Sequence, residues 1–428
     1  MSSIHKRLKI LVFPCGAENA MEIFDALRYS VHAEVFGASS VEDHGRYVFD
    51  NYIGSVPNIN AENFDAAFSK IISEREIDLV FATHDSVIEH LSVRAPFMGF
   101  YLVNGDPQTT AIARSKSATY KKFSAHAWAP RFFSTLEEID QWPAIIKPDR
   151  GQGGQNVQLV HSLREARLCE LTVENPVWME NLPGKELTVD CFTDREGILK
   201  WCSARTRERV KAGISMHSRF LSQEEEIESI AADINRQVNL RGPWFFQVKQ
   251  DAGGCWKLLE FSCRVSGTMV AQRARGVNLP LMALHDYLGR SVSAMPMPCI
   301  KAVDRRISTK ALLDHEYHTV FMDLDDTLVI AGSAVPIAMA FVYQEISKGK
   351  KIILITRHEG DVLAELHRAK IHEGIFEKII HIDDKSHKSQ YVHESSIFVD
   401  NHFPERSDVF LNCQVPAFDL DALEFLMR

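Results

Sequence analysis

The chain has 428 residues, 45% of them apolar and 25% charged. That composition excludes a disordered protein, and the length exceeds one ordinary core, so two to three domains are expected. A formal charge of −9 without any long Lys/Arg run disfavours nucleic acid as a partner, but small anions need only local positive charge.

Eight cysteines without a C-x-x-C pair read as reduced thiols rather than a zinc framework. No apolar run approaches the ~20 residues of a membrane span, and Leu8 to Phe13 is too short for a signal segment. A cytoplasmic protein with no membrane partner is expected.

Residues 8–108 alternate strand and helix. Leu8 to Phe13 reads as a buried strand, Met21 to Leu27 as a helix, and Val31 to Phe36 as a second strand. Phe64 to Ser73 reads as a second helix and Asp78 to Ala82 as a third strand. This alternation predicts a doubly wound parallel sheet, with ligands beyond the strand C-termini at Pro14 to Glu18, Ser39-Ser40 and Thr83 to Ser86. Asp85 reads as either a helix cap or a substrate contact. No G-x-G-x-x-G follows the first strand, which argues against a dinucleotide site. Residues 109–142 read as helical and carry Lys116.

Next comes Ala144-Ile145-Ile146-Lys147-Pro148-Asp149-Arg150-Gly151-Gln152-Gly153-Gly154, an apolar strand that delivers a lysine into a glycine-rich turn. Glycines let the backbone approach a ligand closely, so N–H groups can surround phosphate oxygens while Lys147 adds a point charge. The lysine precedes the glycines, so this is not the Walker spacing, and the run alone fits a plain β-hairpin equally well. Antiparallel strands are expected from Val177 to Leu259, with Arg205, Arg207, Arg209 and Lys211 clustered among them. On the last strand Glu260, Ser262 and Arg264 share one face, because the side-chain period is two. A carboxylate inside the apolar run around Glu260 is costly unless it is paired or bound to a metal. Gln247, across the Gly253-Gly254 turn, offers a second hard oxygen for Mg2+. A salt bridge from Glu260 to Arg264 is the structural alternative.

These residues resemble the ATP-grasp superfamily, in the branch similar to carbamoyl phosphate synthetase. Three motifs occur in order: the strand lysine with its glycine loop, Glu180 to Glu186, and Gln247 to Arg264. The resemblance implies a Rossmann-like pre-ATP-grasp domain (residues 1–108) and an α+β ATP-grasp domain (109–300). It implies that Lys116 and Lys147 contact ATP phosphates under a loop containing Gly151, Gly153 and Gly154. Glu180, Asn181 and Leu182 would meet adenine, Glu186 would hold ribose, and Gln247, Glu260 and Ser262 would bind Mg2+ (or Mn2+). The family usually has Asn at the position of Ser262. The implied chemistry is ATP-dependent ligation of a carboxylate to an amine through an acyl phosphate, steadied by Arg264 with Arg205 or Arg207.

A proline-punctuated stretch, Ser293 to Pro298, reads as a linker. Beyond it the strand Thr319 to Met322 ends in Asp323-Leu324-Asp325-Asp326-Thr327. Two acids so placed can share Mg2+ and divide labour between attack and proton transfer. The strand Lys351 to Ile355 ends in Thr356, Lys385 and Lys388 follow, and the strand Ser396 to Val399 ends in Asp400-Asn401. Residues 301–428 therefore resemble the haloacid dehalogenase (HAD) phosphatases, a HAD-like doubly wound parallel sheet. The resemblance implies Asp323 as nucleophile and Asp325 as acid/base. Thr356 and Lys388 (or Lys385) would hold phosphoryl, and Asp323, Asp325 and Asp400 would hold Mg2+. Where the family often has a second acid, this chain has Asn401, with Glu405 as a candidate substitute.

The sequence thus reads as a bifunctional enzyme acting on a small-molecule carboxylate, an amine and a phosphoester. Ser262 and Asn401 keep open a chain with one active domain. An ATP-grasp kinase, or a nucleotide-binding sensor or scaffold without turnover, is also open, as is assembly into a homo-oligomer.

Overall fold

The computed structural model describes residues 7–151, 154, 156–221, 225–306 and 308–427. The chain divides into two compact units, Met1–Arg306 and Ile307–Arg428.

The first unit opens with β1 (Leu8–Phe13), α1 (Glu18–Leu27), β2 (Ala33–Ala38), β3 (Asn51–Ile53), α2 (Phe64–Arg75), β4 (Leu79–Ala82), α3 (Asp85–Ser92), α4 (Ala95–Met98) and β5 (Tyr101–Leu102). The strands form one parallel sheet in the order β3-β2-β1-β4-β5. β1 is central and its last four residues are buried, as expected of a parallel strand covered on both faces. Helices α5 (Pro107–Arg114) and α6 (Lys116–Phe123) follow, capped by Asp106 and Ser115.

The helical reading of 109–142 holds only to Phe123. Beyond it Pro130 and Pro143 remove helix donors, and β6 (Phe132–Phe133) pairs in a sheet. β7 (Ala144–Pro148), β8 (Gln158–Val160), α7 (Leu163–Glu170) and β9 (Pro176–Glu180) complete this layer, an antiparallel sheet in the order β6-β9-β7-β8.

Then come β10 (Glu186–Thr193), β11 (Leu199–Thr206), β12 (Glu208–Lys211), β13 (Ile214–Arg219), α8 (Glu225–Gln237), β14 (Gly242–Gln250) and β15 (Trp256–Ser262). α8 interrupts what the sequence suggested was continuous strand. Its apolar Ile227, Ile230, Ala231 and Ile234 keep helical spacing and are buried. β11-β10-β14-β15 form an antiparallel sheet. One face carries Leu187, Val189, Cys191, Phe246, Val248, Leu258 and Phe261 into the core. α9 (Val270–Ala274), α10 (Leu279–Tyr287) and β16 (Ala302–Asp304) close the unit. β16 pairs with β13, so the chain stays with this unit past the prolines at 296 and 298.

The second unit contains β17 (Thr319–Met322), β18 (Val329–Ile330), β19 (Ser333–Ala334), α11 (Pro336–Ser347), β20 (Lys351–Thr356), α12 (Val362–Arg368), β21 (Lys378–His381), β22 (Ser396–Val399), α13 (Phe403–Cys413), β23 (Ala417–Phe418) and α14 (Leu423–Leu426). Its main sheet is parallel, in the order β21-β20-β17-β22-β23. No helix among the described residues is long and apolar enough to cross a membrane.

Candidate functional site

Strand register builds the first site. Arg205 lies opposite Thr188, Thr188 opposite Gln247, and Gln247 opposite Glu260, so four side chains form one row across β11, β10, β14 and β15. The flanking rows add Glu186 beside Lys249, and Asp190 beside Phe245 and Ser262. A bulge at Leu259 makes this possible. Val248 faces Leu258 while Gln247 faces Glu260, so one extra residue on β15 turns Glu260 away from the core that Leu258 enters.

Above this floor lies a cleft of about 700 Å³. Lys116, Lys147, Gly151, Gly154 and Glu180 to Leu182 line one side of it. Ala17, Glu18, Asn19, Thr83 and His84, at the C-terminal edge of the parallel sheet, line another. Gly153 lies outside the described residues.

Lys147 is 5% exposed, and its Nζ donates to the Tyr120 hydroxyl at 2.6 Å. Tyr120 donates in turn to the carbonyl of Leu259, the bulge residue, at 2.7 Å. Sequence reading missed Tyr120, because nothing local in α6 marks one buried tyrosine as a lysine's partner. Lys116 Nζ donates to the carbonyls of Gly151 (3.1 Å) and Asp149 (3.4 Å). Neither lysine has an acidic side-chain partner among the described residues. Burial, helped by the Lys116 charge, pushes Lys147 down to about 7 against the pull of Glu260 and Glu186. Burial likewise holds Lys116 below its ordinary value. Two depressed ammonium groups at the mouth of a glycine turn are prepared to meet an anion.

Glu260 and Gln247 face the cleft, and neither side chain has a hydrogen-bond or ion-pair partner among the described residues. A carboxylate and an amide oxygen left free side by side fit a divalent cation. The described residues hold no group of three or more His, Cys, Asp or Glu that could bind a metal, so phosphate oxygens would have to complete the shell. Ser262 does not line the main cleft. Its hydroxyl donates to Asp85 at 2.6 Å, which removes it from the expected ligand set.

Arg264 also departs from the period-two reading. It lies beyond the end of β15, and its guanidinium binds Asp85 through Nε (3.1 Å) and Nη2 (2.9 Å), so it makes no salt bridge to Glu260. Asp85 is the first residue of α3 rather than its cap. Burial opposes its charge, but Arg264 and Ser262 hold its carboxyl below the usual range. Glu186 pairs with Arg207 at 2.6 Å and lines the cleft. Glu180 accepts from the Arg131 backbone N–H at 2.7 Å.

In the second unit the strand ends again collect the polar groups. Asp323 follows β17, Thr356 ends β20 and Asp400 follows β22. Lys388, 3% exposed, donates to Asp323 at 2.6 Å and to Asp400 at 2.7 Å, whereas Lys385 is exposed. Burial and Asp400 push Asp323 up to about 7 against the Lys388 charge. The two carboxylates hold Lys388 above its ordinary value although burial opposes them. Thr356 is fully buried, and its hydroxyl accepts from the His358 N–H at 3.1 Å. The Asp325 carboxylate does not join Asp323 and Asp400. It is half-exposed and bound to His358 Nδ1 at 2.9 Å, so the expected three-carboxylate metal set is not assembled. Asn401 exchanges hydrogen bonds with Thr327, and Glu405 pairs with Arg357 at 2.8 Å.

Residues 172–310 match the family described as ATP-grasp in the biosynthetic pathway with Ter operon. No curated protein matches the chain. Among solved structures, the chain is similar to N5-carboxyaminoimidazole synthetase from Staphylococcus aureus complexed with ADP, at 13% identity and TM-score 0.58, over 69% of this chain and 82% of that one. It is similar to an L-amino acid ligase from Bacillus licheniformis at 17% identity and TM-score 0.53, over 67% and 75%. Rhizobium etli pyruvate carboxylase aligns at 16% identity and TM-score 0.55 over 67% of this chain, which spans only 29% of that longer protein. The family match thus covers about a third of the chain, the likeness to these structures shows a shared fold over about two thirds of it, and the C-terminal sheet lies outside the family match.

Proposed function

We propose that the first unit is an ATP-dependent carboxylate–amine ligase working through an acyl phosphate. The observation that carries this reading is one cleft that joins two lysines lacking acidic partners to the unpartnered Glu260–Gln247 pair. Lys147 and Lys116 would bind the β- and γ-phosphates, and Glu180 to Leu182 would border the base. A Mg2+ held by Glu260 and Gln247 would neutralise charge on the transferring phosphoryl group. An oxygen of the acid substrate attacks the γ-phosphorus, ADP leaves, and Arg264 faces the acyl phosphate. The amine nitrogen then attacks the acyl carbon, expelling phosphate and losing a proton.

We further propose that residues 307–428 form a HAD-like phosphohydrolase. What supports it is the convergence of Asp323, Thr356, Lys388 and Asp400 at the C-terminal ends of adjacent parallel strands. Asp323 would attack phosphorus, Asp325 would protonate the leaving oxygen, and Thr356 and Lys388 would hold the phosphoryl oxygens. Asp323 and Asp400 would hold Mg2+ once Lys388 yields part of its contact to it.

The test separates the two activities. In Lys147→Ala, ATP-dependent ADP release with a pooled acid and amine library should fall at least 100-fold, while hydrolysis of p-nitrophenyl phosphate is unchanged. Asp323→Asn should give the reverse. If both variants lose both activities, or neither loses any, the two-site reading fails.

A further inference from the structure

At the end of the cleft away from the lysines, Arg205 is an exception to the rule that buried donors are paired. It is 1% exposed and lines the cleft. Nε donates to Asp190 at 2.7 Å and Nη2 to Ser266 at 3.0 Å, but Nη1 has no partner. Leaving such a charged donor buried and unmet is costly, so a ligand oxygen is its expected complement. The start of α1 adjoins the same point. Asn19 Nδ2 donates to the Val265 carbonyl at 3.1 Å, one residue from the Ser266 that Arg205 binds. α1 has no side-chain cap at Ala17, which lines the cleft with Glu18 and Asn19.

Arg205 is itself paired with Asp190, and around it Arg207 is paired with Glu186, Arg264 with Asp85 and Glu18 with Arg305, while Lys249 lies opposite Glu186 on β14. One more anion would meet a directional donor, Arg205 Nη1. It would not be the reacting carboxylate. Arg205 stands two strands from Gln247 and three from Glu260, roughly 10 and 14 Å at ~4.8 Å per strand. Its guanidinium is also drawn along the strands towards Asp190 and Ser266.

We propose that the acid substrate is a short dicarboxylate, with one carboxylate taking the phosphoryl group and the other docking on Arg205 Nη1 at the start of α1. This rests on the ligase reading above and narrows its substrate class. The full-length protein saturated with Mg·ADP is titrated, by melting temperature and calorimetry, with succinate, glutarate, L-aspartate and L-glutamate. Butyrate, pentanoate, L-alanine and L-norvaline are their single-carboxylate counterparts.

At least one diacid should bind tenfold or more tighter than its counterpart. The paired change Arg205→Gln with Asp190→Asn keeps a neutral buried contact. It should cut that preference below twofold and leave the Mg·ADP shift intact. Equal binding of mono- and diacids by the native protein, a readout that needs no variant, overturns the proposal. So does a preference that survives the paired change. If Mg·ADP itself gives no shift, the ligase reading falls and this proposal with it.

Discussion

The two sites settle their charges in opposite ways. In the first unit, Lys147 is buried with a tyrosine hydroxyl as its neighbour, and burial pushes its pKa down to about 7. In the C-terminal unit, Lys388 is buried between two aspartates and is held above its ordinary value. The same residue type thus lacks a carboxylate partner among the described residues in one unit and is the centre of a closed triad in the other. A buried lysine identifies its job by what already surrounds it, not by burial alone.

The largest expected effect would break that contrast from the C-terminal side. Lys388→Met leaves Asp323 and Asp400 without their shared cation and should cost about 3 kcal/mol in urea unfolding. Lys147→Met removes a charge that burial penalises, so it should leave stability unchanged or raise it, while abolishing the Mg·ADP melting shift. Equal losses of stability in the two variants would erase the distinction.

The pH dependence of nucleotide binding sharpens it. Free Lys147 loses its proton near 7. A bound phosphate favours the charged form, so binding above that pH must take up a proton. Affinity should be flat below about pH 6.5 and weaken up to about tenfold per unit above 7.5. Calorimetry in buffers of different ionisation enthalpy would show about one proton taken up at pH 8 in the native protein and close to none at pH 6.

The smallest effect concerns Tyr120→Phe, which removes one hydrogen bond to Lys147 and one to Leu259. It should weaken Mg·ADP binding by about 1 kcal/mol, roughly fivefold, in the same titration.

Much of this was legible from the sequence. The β1, β7, β14 and β15 strands stand out as apolar runs, and Lys147, Glu260 and the Asp323 cluster as charged residues within or at the end of such runs. What sequence reading lost is long-range pairing. Asp85 meets Ser262 and Arg264 across 177 and 179 positions, and Tyr120 meets Leu259 across 139. No periodicity encodes such partners. The resemblance therefore placed Ser262 among the metal ligands, and a Glu260–Arg264 salt bridge stood open as the alternative to a metal at Glu260. The overextended helix at 109–142 has another cause, since Pro130 and Pro143 were visible breakers that the reading did not weigh.

The extra residue in β15 has a consequence for how far this chain can drift. Side-chain parity along a strand has only two values, and Leu259 flips it midway. Point substitutions on either side of it leave the orientation of Glu260 untouched. Loss of a single codon between Leu258 and Glu260 would restore the plain ladder, with the acid still opposite Gln247 on the cleft face, but would remove the extra residue. It would also withdraw the carbonyl that anchors Tyr120. The length of this short segment is therefore under tighter constraint than its composition.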